Sequence, residues 1–285
     1  MNILEEHPCF GQCQATAKGR IHLPVAPRCD IFCQFCARAI SRDVARPGNA
    51  ACLISPEEAI GVLDMALTLC PDLLVVGVAG PGDPLAGPEA LDALIAVRER
   101  YPRLISCLST NGLSLAKSLD RVIQAGVKTL TVTVNAIDPN VLTALNLGIL
   151  ENGQFIGGVI GAEKLIAAQN EGIRKAKEAG IFIKINSVLV PGINEDQIPL
   201  IAEAAQSWGA SLYNIIPLIP ANNLKRIPAP TPADLEKAIF AAEKHITVKR
   251  DCRRCRADAC GLPGGVDYSQ ALYGNYCPKE TFSHG

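Results

Sequence analysis

The stretch IHLPVAPRCDIFCQFC (residues 21–36) sets an apolar, strand-like run directly before Cys29, Cys33 and Cys36, with Phe35 beside the last of them. Three thiols this close are too many for a casual core and too few for a closed four-thiolate site. Their place also matters, because an α/β barrel keeps its reactive groups in the loops that follow its strands. Three thiolates can hold three irons of a 4Fe–4S cluster and leave the fourth iron to a small-molecule ligand. The same residues also suit a zinc knuckle or three buried thiols.

Working outward, five more apolar runs alternate with helical patterns: LLVVGVAG (73–80), LISCLST (104–110), TLTVTVN (129–135), IFIKINSVLV (181–190) and LYNIIPLI (212–219). With residues 21–27 as the first, six strand–helix units imply a parallel sheet, two units short of a closed eight-stranded barrel. The expected fold is therefore α/β, a partial (β/α)6 barrel over 21–245. A cysteine-bearing arm (1–20) precedes it and a CxxC extension (246–285) follows. SPEE from Ser55, NEDQ from Asn194 and TPAD from Thr231 read as helix starts, and Gly126 and Gly180 as helix stops. The glycine-rich run at 146–161 reads as a cover over the barrel mouth or as a plain long loop.

A hydrophobic content of 48% over 285 residues fits a sizeable core. A net charge of −1 supplies no positive field for nucleic acid or anionic lipid. No apolar run approaches the roughly 18 residues of a membrane span, and MNILEEHP lacks a signal-peptide pattern, so a cytoplasmic protein is expected. In that compartment the 12 cysteines read as metal or redox ligands rather than disulfides.

Several polar groups fall near predicted strand ends. AGPGDPL (79–85) carries Gly80, Pro81, Gly82 and Asp83, a turn whose carbonyls and carboxylate suit an ammonium group, or simply a turn. Ser109, Thr110 and Asn111 close the third strand, Asn135 the fourth, and Asn186 lies in the fifth; all are also common capping and turn residues. His22 is the histidine within a predicted strand, where a structural role is the usual one. Cys107 shares a strand face with Ser109, about 7 Å away, and reads equally as a small buried hydrophobe. Cys9 and Cys13 lie on the N-terminal arm. In KRDCRRCRADACG, Arg250, Arg253, Arg254 and Arg256 flank Cys252 and Cys255, and cations there would offset a cluster's negative charge. With Cys260 and Cys277 the pair would close a four-thiolate zinc or auxiliary-cluster site; alone it would form an open, two-thiolate dock.

The Cx3CxxC motif resembles the radical SAM superfamily, whose members let S-adenosyl-L-methionine chelate the fourth iron. In that light GPGDP looks like the loop that binds the SAM amine, and Ser109, Thr110, Asn111, Asn135 and Asn186 like groups for its ribose or carboxylate. More narrowly, HPC (7–9), residues 21–36, RPG (46–48), AGPGDPL, CLSTNGL (107–113), VNAIDP (134–139), VLVPGIN (188–194) and CRRCRADA (252–259) together resemble the NifB family over nearly the whole chain. The resemblance implies an enzyme that fuses two 4Fe–4S substrate clusters into an eight-iron, carbide-centred precursor of the nitrogenase cofactor. SAM would serve as methyl donor and as source of a 5′-deoxyadenosyl radical. It further implies that Cys29, Cys33 and Cys36 hold the SAM cluster, that Cys9, His22 and Cys107 hold one substrate cluster, and that Cys252 and Cys255 hold the other. A short, stand-alone form without the NifX-like domain of many relatives is expected. The implied partners are cluster donor and acceptor proteins of nitrogenase assembly and an electron donor such as ferredoxin, with neither nucleic acid nor membrane. Cys13, Cys52, Cys70, Cys260 and Cys277 lie outside the pattern. A radical SAM enzyme modifying a peptide or RNA with an auxiliary cluster, and a non-catalytic iron–sulfur carrier, are the alternatives.

Overall fold

All six apolar runs form strands of one sheet in a computed structural model that describes residues 3–11 and 18–276; Cys13 and Cys277 lie outside the described residues. In chain order the elements are α1 (Ile3–Glu6), β1 (Gly19–His22), β2 (Ile31–Cys33), α2 (Pro56–Leu69), β3 (Leu73–Val78), α3 (Glu89–Arg100), β4 (Ile105–Thr110), α4 (Leu115–Gln124) and β5 (Val127–Thr133). They continue with α5 (Pro139–Thr143), β6 (Asn146–Glu151), β7 (Gln154–Gly157), α6 (Gly158–Glu178), β8 (Phe182–Leu189), α7 (Gln197–Trp208), β9 (Leu212–Pro217), α8 (Pro232–Ala242), β10 (Cys260–Gly261) and α9 (Ser269–Tyr273).

The main sheet runs β10-β1-β3-β4-β5-β8-β9. From β1 to β9 the neighbours are parallel and in chain order, and β10 joins β1 antiparallel. Helices between the strands cover one face. Val62 and Leu63 of α2, Leu94 and Val97 of α3, and Ile201 of α7 bury against Val76, Leu108, Leu130 and Ile183 of the strands. Each fully buried leucine or isoleucine contributes about 1.5–3 kcal/mol. The other face stays concave. Because side chains alternate, Leu108 is buried with the helices while Cys107 and Ser109 turn to the concave side. With β9 and β10 as unjoined edges, this is the expected partial (β/α)6 barrel.

Local chemistry explains where the elements start and stop. Ser55 and Thr231 cap their helices in reciprocal capping boxes, with Glu58 and Asp234 answering. Gly126 and Gly180 take positive φ, 70° and 80°, as the chain leaves its helices. The first strand ends at His22 rather than running to residue 27, because Pro24 and Pro27 bring no N–H to a ladder, and only an isolated bridge joins Ala26 to Pro81. NEDQ behaves differently from expectation. Asn194 does not cap α7; its side chain accepts from Val190 N and donates to the Asn135 and Val188 carbonyls.

The glycine-rich run at 146–161 is neither cover nor plain loop but the hairpin β6–β7 followed by the start of α6. Asn152 and Gly153 form its two-residue turn with φ 53° and 76°, the left-handed pair a tight hairpin requires. Gly148 has no side chain because Phe155 lies across it. The hairpin's first strand, β6, also pairs antiparallel with β2, so the run builds a second, three-stranded sheet with the cysteine loop, β6 at its centre.

Candidate active site

Cys29, Cys33 and Cys36 line a cavity of about 370 Å³ on the concave face, within the usual volume for small-molecule sites. Their loop is held from several sides. Phe32 N donates to Asn146 Oδ1 (2.9 Å) and Gln34 N to the Leu145 carbonyl (2.8 Å). Asp30, which sequence reasoning missed, accepts from Asn111 Nδ2 (2.6 Å) and Ser114 Oγ (3.0 Å), while its carbonyl accepts from Leu150 N (2.7 Å). An aspartate between two cysteines carries no sequence signal for such bracing.

The GPGDP turn lines the cavity with Pro81, Gly82 and Asp83, and it is also tied into the protein. Asp83 is buried, and its carboxylate accepts from Leu85 N (2.9 Å), Thr110 Oγ1 (2.9 Å) and Asn111 N (2.5 Å). Burial, with the Asp30 carboxylate nearby, holds the Asp83 carboxyl above the usual carboxylate range. Gly82 allows an approach to protein rather than to ligand, since a Cβ there would run into the Arg28 carbonyl. Asp83 N and Gly82 N donate to the carbonyls of Arg28 (2.7 Å) and Ala26 (2.9 Å). Asp83, Thr110 and Asn111 thus brace the cysteine loop while still lining the cavity, where an ammonium ligand would meet the turn's carbonyls and the Asp83 carboxylate. Ser109 and Asn186 line the cavity, whereas Asn135 does not, its Oδ1 accepting instead from Val188 N (2.9 Å). Asn214, also missed, lines the cavity and donates to Asn186 Oδ1 (3.1 Å). Its own buried Oδ1 has no donor among the described residues, so a ligand hydroxyl would satisfy it.

Deeper in the cavity the strand register aligns His22, Gly77, Cys107 and Thr129 in one row across β1, β3, β4 and β5. Two strand spacings put the His22 and Cys107 backbones roughly 9–10 Å apart. Gly77 keeps the space between them clear, for a Cβ there would lie 3.4 Å from Cys107 Cβ and 3.5 Å from His22 Cδ2. His22 Nδ1 meets the Arg256 carbonyl at 2.7 Å. A carbonyl only accepts, so the proton is on Nδ1 and Nε2 keeps its lone pair, the usual arrangement of a metal-ligating histidine. Burial, aided by Arg20, lowers the His22 pKa to about 4 and keeps the ring neutral.

Cys9 reaches the same cavity from the N-terminal arm. His7 sets its position. The Cys9 N–H donates to His7 Nδ1 (3.0 Å), so the His7 proton lies on Nε2 and donates to Thr129 Oγ1 (3.1 Å), the last member of the row. Cys9, His22 and Cys107 are thus brought together from three separate parts of the chain.

Cys252 and Cys255 line the cavity from the C-terminal segment, whereas Cys260 is fully buried in the core with Cys52 and Cys70. A closed site of Cys252, Cys255 and Cys260 is therefore not what the fold builds. The arginines also sort differently from their sequence neighbourhood. Arg250 pairs with Glu236 and Glu243 on the surface. Arg256 pairs with Asp258 and holds the Val44 carbonyl (2.6 Å). Arg253 and Arg254 border the cavity, but the cation on Cys255 is Arg20 of β1, whose Nη2 donates to the sulfur at 2.8 Å.

Burial raises the thiol pKa of Cys29, Cys33, Cys107 and Cys255, that of Cys107 to about 12. Buried thiols of this kind give up their protons to a metal rather than to water. Among the described residues no three His, Cys, Asp or Glu side chains lie close enough to hold a single metal ion. A four-iron cube keeps its ligands farther apart than one ion does.

The Radical SAM superfamily matches residues 23–205. The FeMo cofactor biosynthesis protein NifB of Methanocaldococcus infernus is 43% identical over 263 residues, covering 92% of this chain and 87% of that protein. The chain belongs to the NifB family. NifB of Klebsiella pneumoniae is 37% identical over 266 residues, covering 90% of this chain and 57% of that protein. Among solved structures, Streptococcus suis SuiB, solved with S-adenosylmethionine bound, superposes with a TM-score of 0.58 at 16% identity over 81% of this chain and 49% of that one. A radical SAM methyltransferase from Sphaerobacter thermophilus gives 0.57 at 16% identity over 81% and 65%. These structures share the barrel fold. As a radical SAM enzyme, this NifB-family chain uses a 4Fe–4S cluster and S-adenosylmethionine, and the three-cysteine loop, with thiols on one side of a cavity and polar groups on the other, fits that pair. Among the described residues no helix is long and apolar enough to cross a membrane.

Proposed function

We propose that this chain takes part in FeMo cofactor biosynthesis by fusing two 4Fe–4S substrate clusters into an eight-iron, carbide-centred precursor. Cys29, Cys33 and Cys36 would hold the resident cluster, which when bound supplies the electron for reductive cleavage of SAM. The turn at 80–82, Ser109, Asn186 and Asn214 would orient SAM against it. One SAM would give its methyl group to a substrate sulfide, and a second would yield the radical that strips hydrogen from that carbon. Cys9, His22 and Cys107 would hold one substrate cluster and Cys252 with Cys255 the other. Incomplete thiolate ligation and a displaceable imidazole suit a cluster that must leave. Cluster donor and acceptor proteins and a reductant such as ferredoxin would be its partners.

The observation that carries this reading is the row His22–Gly77–Cys107, where an imidazole and a thiol flank a side-chain-free gap in the cavity that also holds the cysteine loop and the CxxC pair. Iron per chain after anaerobic reconstitution tests it. About twelve irons fit two docks beside the SAM cluster, about eight fit a peptide- or RNA-modifying enzyme with one auxiliary cluster, and about four leave no substrate cluster at all.

A further inference from the structure

Two cations are buried beside the proposed docks, and among the described residues neither has an acidic partner. Arg20 and Lys184 are each only 6% exposed, and among the described residues no carboxylate forms an ion pair with either. Buried charges are ordinarily paired, because a charge taken out of water without an opposite charge is strongly disfavoured. Arg20 is fixed by a bond from Nη1 to the Gly261 carbonyl (2.6 Å), which leaves Nη2 aimed at Cys255 Sγ at 2.8 Å, while its buried Nε makes no bond. Lys184 lines the cavity from β8. Its Nζ donates to the Cys9 carbonyl (3.3 Å) and lies 5.1 Å from the centre of the Phe10 ring.

We propose that Arg20 and Lys184 are the counter-charges of the two substrate docks, Arg20 for the cluster on Cys252 and Cys255 and Lys184 for the cluster on Cys9, His22 and Cys107. This rests on the two-dock reading above. The chemistry of fusion makes such charges useful. Joining two four-iron cores through a carbide, formed from a SAM methyl group that leaves its hydrogens behind, adds an anion and no cation, so the product is more negative than its parts. A fixed cation beside each dock therefore favours the fused state over the separate clusters, which is the differential binding that a catalyst needs. The two cations differ in kind. Arg20 donates a directed N–H to a ligand sulfur, the contact that tunes a cluster's potential, whereas Lys184 acts as a point charge on a flexible stem.

The test is crossed. Reconstituted wild type, Arg20→Met, Arg20→Lys, Lys184→Met and Lys184→Arg would be compared for iron content and for the reduction potential of each dock's cluster by EPR-monitored titration. Arg20→Met should shift the potential of the Cys252/Cys255 cluster downward, or lose that cluster's irons, about four per chain, and leave the other dock unmoved. Lys184→Met should do the same to the Cys9/His22/Cys107 cluster alone. Lys184→Arg should stay with the wild type, and Arg20→Lys, which keeps the charge but loses the directed N–H, should fall between the wild type and Arg20→Met. Unmoved potentials in both Met variants, or equal effects in the charge-preserving ones, would overturn the assignment. A wild type that takes up only about four irons would instead sink the two-dock reading itself, before any variant is made.

Discussion

The cysteine loop and the proposed dock at Cys9, His22 and Cys107 share one cavity but are built on opposite plans. Cys29, Cys33 and Cys36 come from one short run, and the sheet β2–β6–β7, Asp30 and Asp83 hold that run as a unit. Cys9, His22 and Cys107 come from an arm, the first strand and the third parallel strand, and Cys255 meets Arg20 across 235 positions of sequence. A local motif holds a group the protein keeps, because every ligand moves with the same loop. Ligands gathered from remote segments can be loosened one at a time, which suits something that has to depart.

The sharpest way to break this contrast is at the loop. Cys29→Ala/Cys33→Ala/Cys36→Ala should bring 5′-deoxyadenosine formation below detection, and unchanged formation would end the assignment of that loop. Next comes the gap between His22 and Cys107. Gly77 sits in an ordinary strand conformation, so Gly77→Val suits the backbone but fills the space. The variant should lose about four irons per chain, and with them the imidazole nitrogen coupling in pulsed EPR of the loaded protein. Retained coupling would show that the row is not a dock.

The C-terminal cysteines separate the two plans again. Cys252→Ala/Cys255→Ala should lose about four irons, whereas Cys260→Ala should keep its metal and cost about 1 kcal/mol of packing, read by chemical denaturation. Equal iron loss would restore Cys260 to a metal site. At the hairpin turn the effect is expected on stability alone, with iron content unchanged. Gly153 has nothing around it and φ of 76°, so Gly153→Ala should lower stability by about 1–2 kcal/mol through backbone strain alone. A neutral outcome in thermal unfolding would mean that the turn does not stabilise the loop's sheet.

The sequence was legible where period and local chemistry agree. Six apolar runs, two capping boxes and the Cx3CxxC loop all lie within windows of a few residues, and the fold keeps them. The hairpin was hidden because Gly148 and Gly157 look like flexibility until Phe155 is seen packed against them. The arginines around Cys252 misled for a related reason: proximity in sequence stood in for proximity in space, while the cation on Cys255 comes from GRIH at the other end of the chain. Asp83 looked free because nothing in GPGDP announces that Thr110 and Asn111 will bind its carboxylate. Lys184 and Asn214 were unremarked since a polar residue in an apolar strand has no local signature of what it faces.

The contact between β1 and the C-terminal segment also orders events in time. His22 needs the Arg256 carbonyl to fix its tautomer, its backbone N donates to Ala259, and Tyr273 donates to its carbonyl (2.9 Å). A ribosome adding roughly 5–20 residues per second separates the emergence of the two ends by tens of seconds. In that interval the nascent chain presents the three loop thiols and the whole of β6–β7, but a histidine with neither its hydrogen-bond partner nor its roof. On the two-dock reading, the thiols of the loop would therefore be on hand before the dock at His22 is complete, since its hydrogen-bond partners from Arg256, Ala259 and Tyr273 arrive only when the last strand closes on the first.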